Sequence, residues 1–153
     1  MSRSVVVVGV DGSRDSLIAL HHAAAQARLL SADLRIVTAW NEMVYQDAVV
    51  GFHPETTARR AARDAALAEF DGAVPAWVTE STTPGPAGPA LVAEAVHAQL
   101  LVVGTRGHSP IGGLLLGSVS TYCAEHSRCP VLVVPTHATD RPADEVATEH
   151  ATT

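Results

Sequence analysis

Two loops contain the residue types from which a ligand site could be built. The richer one runs Gly104-Thr105-Arg106-Gly107-His108-Ser109-Pro110-Ile111-Gly112-Gly113-Leu114-Leu115-Leu116-Gly117-Ser118 and holds five of the chain's 11 glycines. Glycine at such density lets successive backbone N–H groups converge on an anion. A helix that starts directly afterwards adds its unpaired amides and its positive end. Ser118 stands at the expected N-cap, where its hydroxyl either caps the helix or donates to a phosphate. Capping alone would need only the serine. The separations of Gly104, Gly107 and Gly117 favour phosphate binding. Arg106 could reach a terminal phosphate as a bidentate fork, and His108 could do so too, but both positions equally suit a solvent-facing role.

The second loop is Val10-Asp11-Gly12-Ser13. An aspartate at a strand end can accept from a ribose hydroxyl or hold a metal through water, and an Asp-Gly pair is also an ordinary turn. Both readings stand. The G-x-G-x-x-G dinucleotide fingerprint is excluded, because aspartate occupies the place where backbone would approach a pyrophosphate. Other chemistries are absent. The chain has ten Lys and Arg residues, all of them arginine, which rules out a P-loop lysine and Schiff-base catalysis. No G-x-S-x-G elbow surrounds a serine, and no H-E-x-x-H or other His/carboxylate grouping has metal spacing. Cys123 and Cys129 match neither a zinc site nor a C-x-x-C redox pair. His21 and His22 are consecutive within a helical pattern, so they read as partly buried or surface residues and not as ligands. No catalytic residue and no metal ligand is assigned.

The elements that position these loops alternate. Val5-Val6-Val7-Val8-Gly9-Val10 is a short apolar run, suited to a strand covered on both faces. Helical spacing follows from Ser16 to Leu30, then a strand over Leu34–Trp40. Asn41 to Pro54 is a long polar connection, either a lid or a solvated insertion. A helix is expected from Glu55 to Phe70, a weaker strand from Ala76 to Thr83, and a helix from Ala90 to Ala98 after a Pro/Gly-rich stretch. A strand over Leu100–Val103, a helix over Ser118–His126 and a strand over Val131–Val134 complete the pattern. Five strands alternating with four helices imply an α/β fold with a parallel sheet and helices on both faces. Ligands bind such sheets beyond the carboxyl ends of the strands, where the strand order reverses.

At 153 residues, 47% hydrophobic and 17% charged, the chain suits one folded domain. Its net charge of −6 and 4% aromatic content oppose a nucleic-acid partner. No apolar run is long enough for a membrane span, and the first residues show no leader pattern, so a cytoplasmic protein is expected. Residues 136–153 lack periodicity and are acidic. They read as a mobile tail beyond a domain covering residues 1–135.

The spacing Gly104-x2-Gly107-x9-Gly117-Ser118 resembles the nucleotide-binding signature of the universal stress protein family. The resemblance extends to Val5-Val-Val-Val-Gly-Val-Asp-Gly-Ser, to Leu114-Leu-Leu-Gly-Ser-Val-Ser and to Cys129-Pro-Val-Leu-Val-Val-Pro, covering roughly residues 3 to 135. It implies a single-domain, Rossmann-like three-layer sandwich with a five-stranded parallel sheet of order 3-2-1-4-5. It also implies ATP as ligand, with Mg²⁺ where the triphosphate brings it. Asp11 and Gly12 would meet the adenosine end, and Ala39 would pair with adenine through its backbone. Val103 and Gly104 would lie on the ribose side. Gly107, Gly117, Ser118 and Val119 would contact the phosphates. Gln99 departs from the family's usual aspartate, and the 41–54 connection leaves the outer wall of the pocket undefined. The family pattern is a homodimer through the last strand, Val131–Val134, whose apolar edge needs covering. The leading function is an ATP-binding stress-response module acting through conformation or partners, with at most weak hydrolysis. The alternatives are an ATP-pyrophosphatase or adenylyl-transfer enzyme on a related sheet, and a nucleotide-free dimeric interaction protein.

Overall fold

A computed structural model describes residues 2–41, 53–105 and 116–136. The elements follow as β1 (Val5–Gly9), α1 (Arg14–Leu30), β2 (Asp33–Trp40), α2 (Pro54–Glu69), β3 (Val78–Pro84), α3 (Ala87–Glu94), β4 (Leu100–Gly104), α4 (Ser118–His126) and β5 (Val131–Val134). All four pairings are parallel and the sheet order is β3-β2-β1-β4-β5, as the alternation and the resemblance imply. β1 is central because its valines are apolar on both faces, and Val6, Val7 and Val8 have no exposed surface.

Period-2 alternation divides the strands between two cores. Val6, Val8, Leu34, Ile36, Val102 and Val134 face α1 and α2, where the alanines of both helices let helix and sheet approach closely. Val7, Val37, Leu101 and Val103 face α3 and α4 with Leu91, Ala95 and Cys123. Glycine permits the tight helix contacts on this side. A methyl group on Gly9 would stand 2.6 Å from Leu91 Cδ1, and one on Gly88 would stand 2.9 Å from the Tyr122 ring.

Several element boundaries differ from the sequence reading by a few residues, and two of them, with the cap of α4, have a local cause. α1 begins at Arg14 because Ser13 is its N-cap, its side chain accepting from Ser16 N. α3 spans Ala87–Glu94 and not Ala90–Ala98: Pro89 sits in the first turn, where a missing N–H costs nothing, and the helix stops before fully buried Ala95. No stop signal marks that end in the sequence; the chain turns there to enter β4. At α4 the N-cap is Gly117, and Ser118 is the first helical residue, which corrects its expected capping position.

Cys123 has no exposed surface, and burial, followed by the proximity of Cys129, pushes its thiol from 9.0 up to about 11. The raised value keeps its stabilising contribution intact below about pH 9, and that contribution is lost as the pH rises towards 11. A thiol reagent at pH 8 is therefore expected to modify the partly exposed Cys129 first and Cys123 only on unfolding. Mass spectrometry of the native and urea-unfolded protein reads this directly, and rapid double modification of the native chain would contradict it.

Candidate functional site

Parallel strands place all their carboxyl ends at one end of the sheet, so the loops after β1, β2 and β4 open on the same side. The order reverses between β1 and β4, which pair from Val6↔Leu100 to Val8↔Val102, and sheets of this kind bind ligands in the crevice beyond such a pair. Asp11, Gly12, Ala39, Val103, Gly104, Gly117, Ser118 and Val119 all belong to this end of the sheet or to the start of α4. Gly107, Arg106 and His108 lie outside the described residues, as do most of the connection after Asn41 and the tail after Thr136.

The first loop is a hydrogen-bonded turn. Asp11 Oδ1 accepts from Ser13 N at 2.9 Å, and Gly12 adopts φ +83°, a conformation natural to glycine. Buried Ser16 fastens the turn to α1: its hydroxyl accepts from Asp11 N at 3.3 Å and donates to Ser13 O at 2.9 Å. Sequence reading took Ser16 as the start of the helix, and its hydroxyl is also the hub of this loop. Replacing Ser16 with alanine removes two part-buried hydrogen bonds, from Asp11 N and to Ser13 O, so Ser16→Ala is expected to lower stability by about 1–2 kcal/mol. Urea unfolding tests this, and an unchanged midpoint would contradict it.

At the end of β2 the backbone alternates. Val37 O accepts from Val10 N at 2.9 Å on the β1 side, while Trp40 O accepts from Gly85 N at 2.9 Å on the β3 side. Ala39, two residues after Val37, therefore turns its N–H and C=O towards β1. β1 pairing has already ended at Gly9↔Val37. The amide and carbonyl of Ala39 thus face the space beyond the end of β1 as an adjacent donor and acceptor.

The two ends of the glycine-rich loop are tied together. Gly117 N donates to Thr105 O at 2.6 Å, Thr105 N donates to Val134 O at 3.1 Å, and Ser120 Oγ reaches Thr105 O at 3.2 Å. This fixes the start of α4 beside the end of β4. All four helices begin at this end of the sheet, and the two that follow β1 and β4, the strands at the reversal, then differ. α1 is capped by Ser13 and carries Asp15 in its first turn, whereas α4 has neither a side-chain cap nor an acidic first-turn residue. An uncapped helix start of this kind suits an anion.

Gly104 has a packing role beyond its expected ribose contact. A methyl group there would stand 3.0 Å from the Asp15 carbonyl oxygen, so glycine admits the first turn of α1 against β4. Among the described residues no group of three or more His, Cys, Asp or Glu side chains is gathered for a metal. His21 is exposed and its Nδ1 lies 3.0 Å from Glu69 Oε1, a contact between α1 and α2 far from the loops.

The family model for the universal stress protein family matches residues 3–135. The chain belongs to this family. Universal stress protein Rv2623 of Mycobacterium tuberculosis is 32% identical over 142 residues, covering 84% of this chain and 46% of the relative. A universal stress protein of Mycolicibacterium smegmatis is 34% identical over 137 residues, covering 87% and 46%. The chain spans about half the length of these curated relatives. Among solved structures, a universal stress protein in complex with cAMP is 34% identical with a TM-score of 0.64, covering 89% of this chain and 99% of that one. A universal stress protein of Archaeoglobus fulgidus in complex with dAMP is 20% identical with a TM-score of 0.63, covering 88% and 99%, and shares the fold. Among the described residues no helix is long and apolar enough to cross a membrane.

Proposed function

We propose that this universal stress protein family member is a cytoplasmic adenine-nucleotide-binding module, with ATP as its ligand and conformation or partner binding as its output. The observation that carries the reading is the bare amino end of α4, fixed beside the crevice while α1 is capped and acidic. In this reading the adenine edge pairs with the Ala39 backbone, Asp11 and Gly12 border the nucleoside, and the ribose lies along Val103 and Gly104. The phosphates are held by the amides of Gly107, Ser118 and Val119, by the Ser118 hydroxyl and beside Gly117. Moving from cap to first helical position keeps that hydroxyl at the same helix end. The residues present fit a phosphate group, since backbone amides need no lysine to hold one.

With no lysine, and no aligned base and nucleophile proposed, the site binds a triphosphate without polarising it for transfer. This favours a binder over the pyrophosphatase or adenylyl-transfer alternative. The 34% identical relative solved with cAMP supports a second ligand, a cyclic adenine monophosphate, at the same site. Among the described residues the edge strand Val131–Val134 pairs only with β4 on its inner side, and we assign the homodimer contact to its outer edge.

The test is isothermal titration of the full chain with MgATP, cAMP and MgGTP. Saturable binding of an adenine nucleotide, at least about tenfold tighter than guanine, is the expected result, since the paired donor and acceptor at Ala39 match only one purine edge. No heat with either adenine nucleotide would overturn the reading, and steady ATP turnover would favour the enzyme alternative.

A further inference from the structure

We propose that Asp15 is a charge gate at the phosphate end of the crevice, making triphosphate binding depend on a divalent cation while leaving a cyclic monophosphate nearly unaffected. The inference rests on the nucleotide reading above and concerns which phosphates the site accepts.

Asp15 is in the first turn of α1, where a carboxylate is ordinarily explained by the helix dipole. Its contacts point elsewhere. Asp15 Oδ2 accepts from the hydroxyl of Thr136, 121 residues away in sequence and just past β5, at 3.0 Å. The Asp15 backbone presses on Gly104, and its Cβ would stand 3.2 Å from a methyl group there. Thr105, the next residue, accepts from Gly117 N at the entrance to α4. The carboxylate is thus held over the end of β4, two contacts from the amides assigned to the phosphates. A fixed charge acts over about a screening length, about 8 Å at physiological salt.

The charge balance has the same consequence. Among the described residues, the segment from the end of β1 into the first turn of α1 carries two carboxylates, Asp11 and Asp15, against one guanidinium, Arg14, and the described ends of the connection from β4 to α4 carry no charged side chain. Backbone amides attract an anion but add no net charge. A cyclic phosphodiester carries one negative charge and a triphosphate several, so repulsion from a fixed carboxylate grows with each added phosphate. A divalent cation travelling with the triphosphate offsets that repulsion, and the carboxylate then becomes an attractive neighbour. Asp15 acts here as a specificity residue, and Thr136 as the residue that positions it.

The experiment is calorimetry on the full chain with ATP in excess EDTA, ATP with Mg²⁺, and cAMP in EDTA. The variants are Asp15→Asn, which keeps the shape and the Thr136 contact, and Thr136→Val, which releases the carboxylate. For the wild type, removal of Mg²⁺ is expected to weaken ATP binding by about tenfold while cAMP changes less than about twofold. Asp15→Asn is expected to restore most of the metal-free ATP affinity, and Thr136→Val to reduce the Mg²⁺ dependence to about threefold. ATP affinity independent of Mg²⁺ in the wild type, or equal metal-free affinities in wild type and Asp15→Asn, would overturn the gate while cAMP binding leaves the nucleotide reading standing. Absence of binding by both nucleotides under every condition would overturn the nucleotide reading itself.

Discussion

Gly117→Glu is expected to weaken adenine-nucleotide binding by at least about a hundredfold, equivalent to about 2.7 kcal/mol, with the fold intact. Gly117 is the N-cap of α4 with φ −76° and ψ 172°, an extended conformation open to any residue. Its structural hydrogen bond to Thr105 O uses only the backbone N–H. A glutamate there brings a carboxylate to the amides of the first turn, which otherwise have no side-chain cap. It satisfies the helix end as an internal anion and repels an external one. The variant should therefore melt at or slightly above the wild-type temperature while losing ligand, and Gly117→Ala should retain most of the affinity. Calorimetry beside thermal denaturation checks both. A well-folded Gly117→Glu with unchanged affinity would place the phosphates away from α4.

Gly104→Val has the opposite signature, because it acts first on the fold. Its Cβ would lie 3.0 Å from the Asp15 carbonyl oxygen and 3.1 Å from the carbonyl carbon, both backbone atoms that cannot swing aside. The first turn of α1 would have to lift from β4, taking with it the Ser13 cap and the Thr136–Asp15 contact. Overpacking of this kind costs about 1–3 kcal/mol. For a chain of this size each kcal/mol corresponds to about 2–4 °C, so a fall of roughly 2–12 °C in the melting temperature is expected. Nucleotide affinity should fall with it, since the displaced turn borders the crevice. An unchanged melting temperature would show that α1 does not bear on Gly104 in solution.

The contrast between these glycines shows what the sequence could convey. Composition marks both as parts of one glycine-rich loop, and only coordinates separate a glycine needed for helix–strand approach from one beside an open helix end. The fold itself was legible, because each strand is a short run of β-branched residues and each helix repeats at three- and four-residue spacing. Boundaries were less legible: the helix expected from Ser16 starts at Arg14 behind the Ser13 cap, the one expected from Glu55 starts at Pro54, and tertiary burial ends α3 before Ala95. Ser118 misled because a serine after glycine resembles an N-cap, whereas the bond from Gly117 N to Thr105 O sets the helix start one residue earlier. The roles of Ser16 and Thr136 depend on hydrogen bonds to Asp11, Ser13 and Asp15. No local pattern announces the second of these, which joins residues at opposite ends of the chain.

The central claim is that an adenine nucleotide lies beyond β1 and β4 with its phosphates on the first turn of α4. Amide chemical-shift mapping of the ¹⁵N-labelled chain during titration with MgATP tests it most directly. The account predicts saturable shifts at Gly12, Ala39, Gly104, Ser118 and Val119, with Val5, Arg35 and His97 at the opposite end of the sheet unmoved. Shifts confined to that opposite end, or no saturable shifts at all, would contradict it.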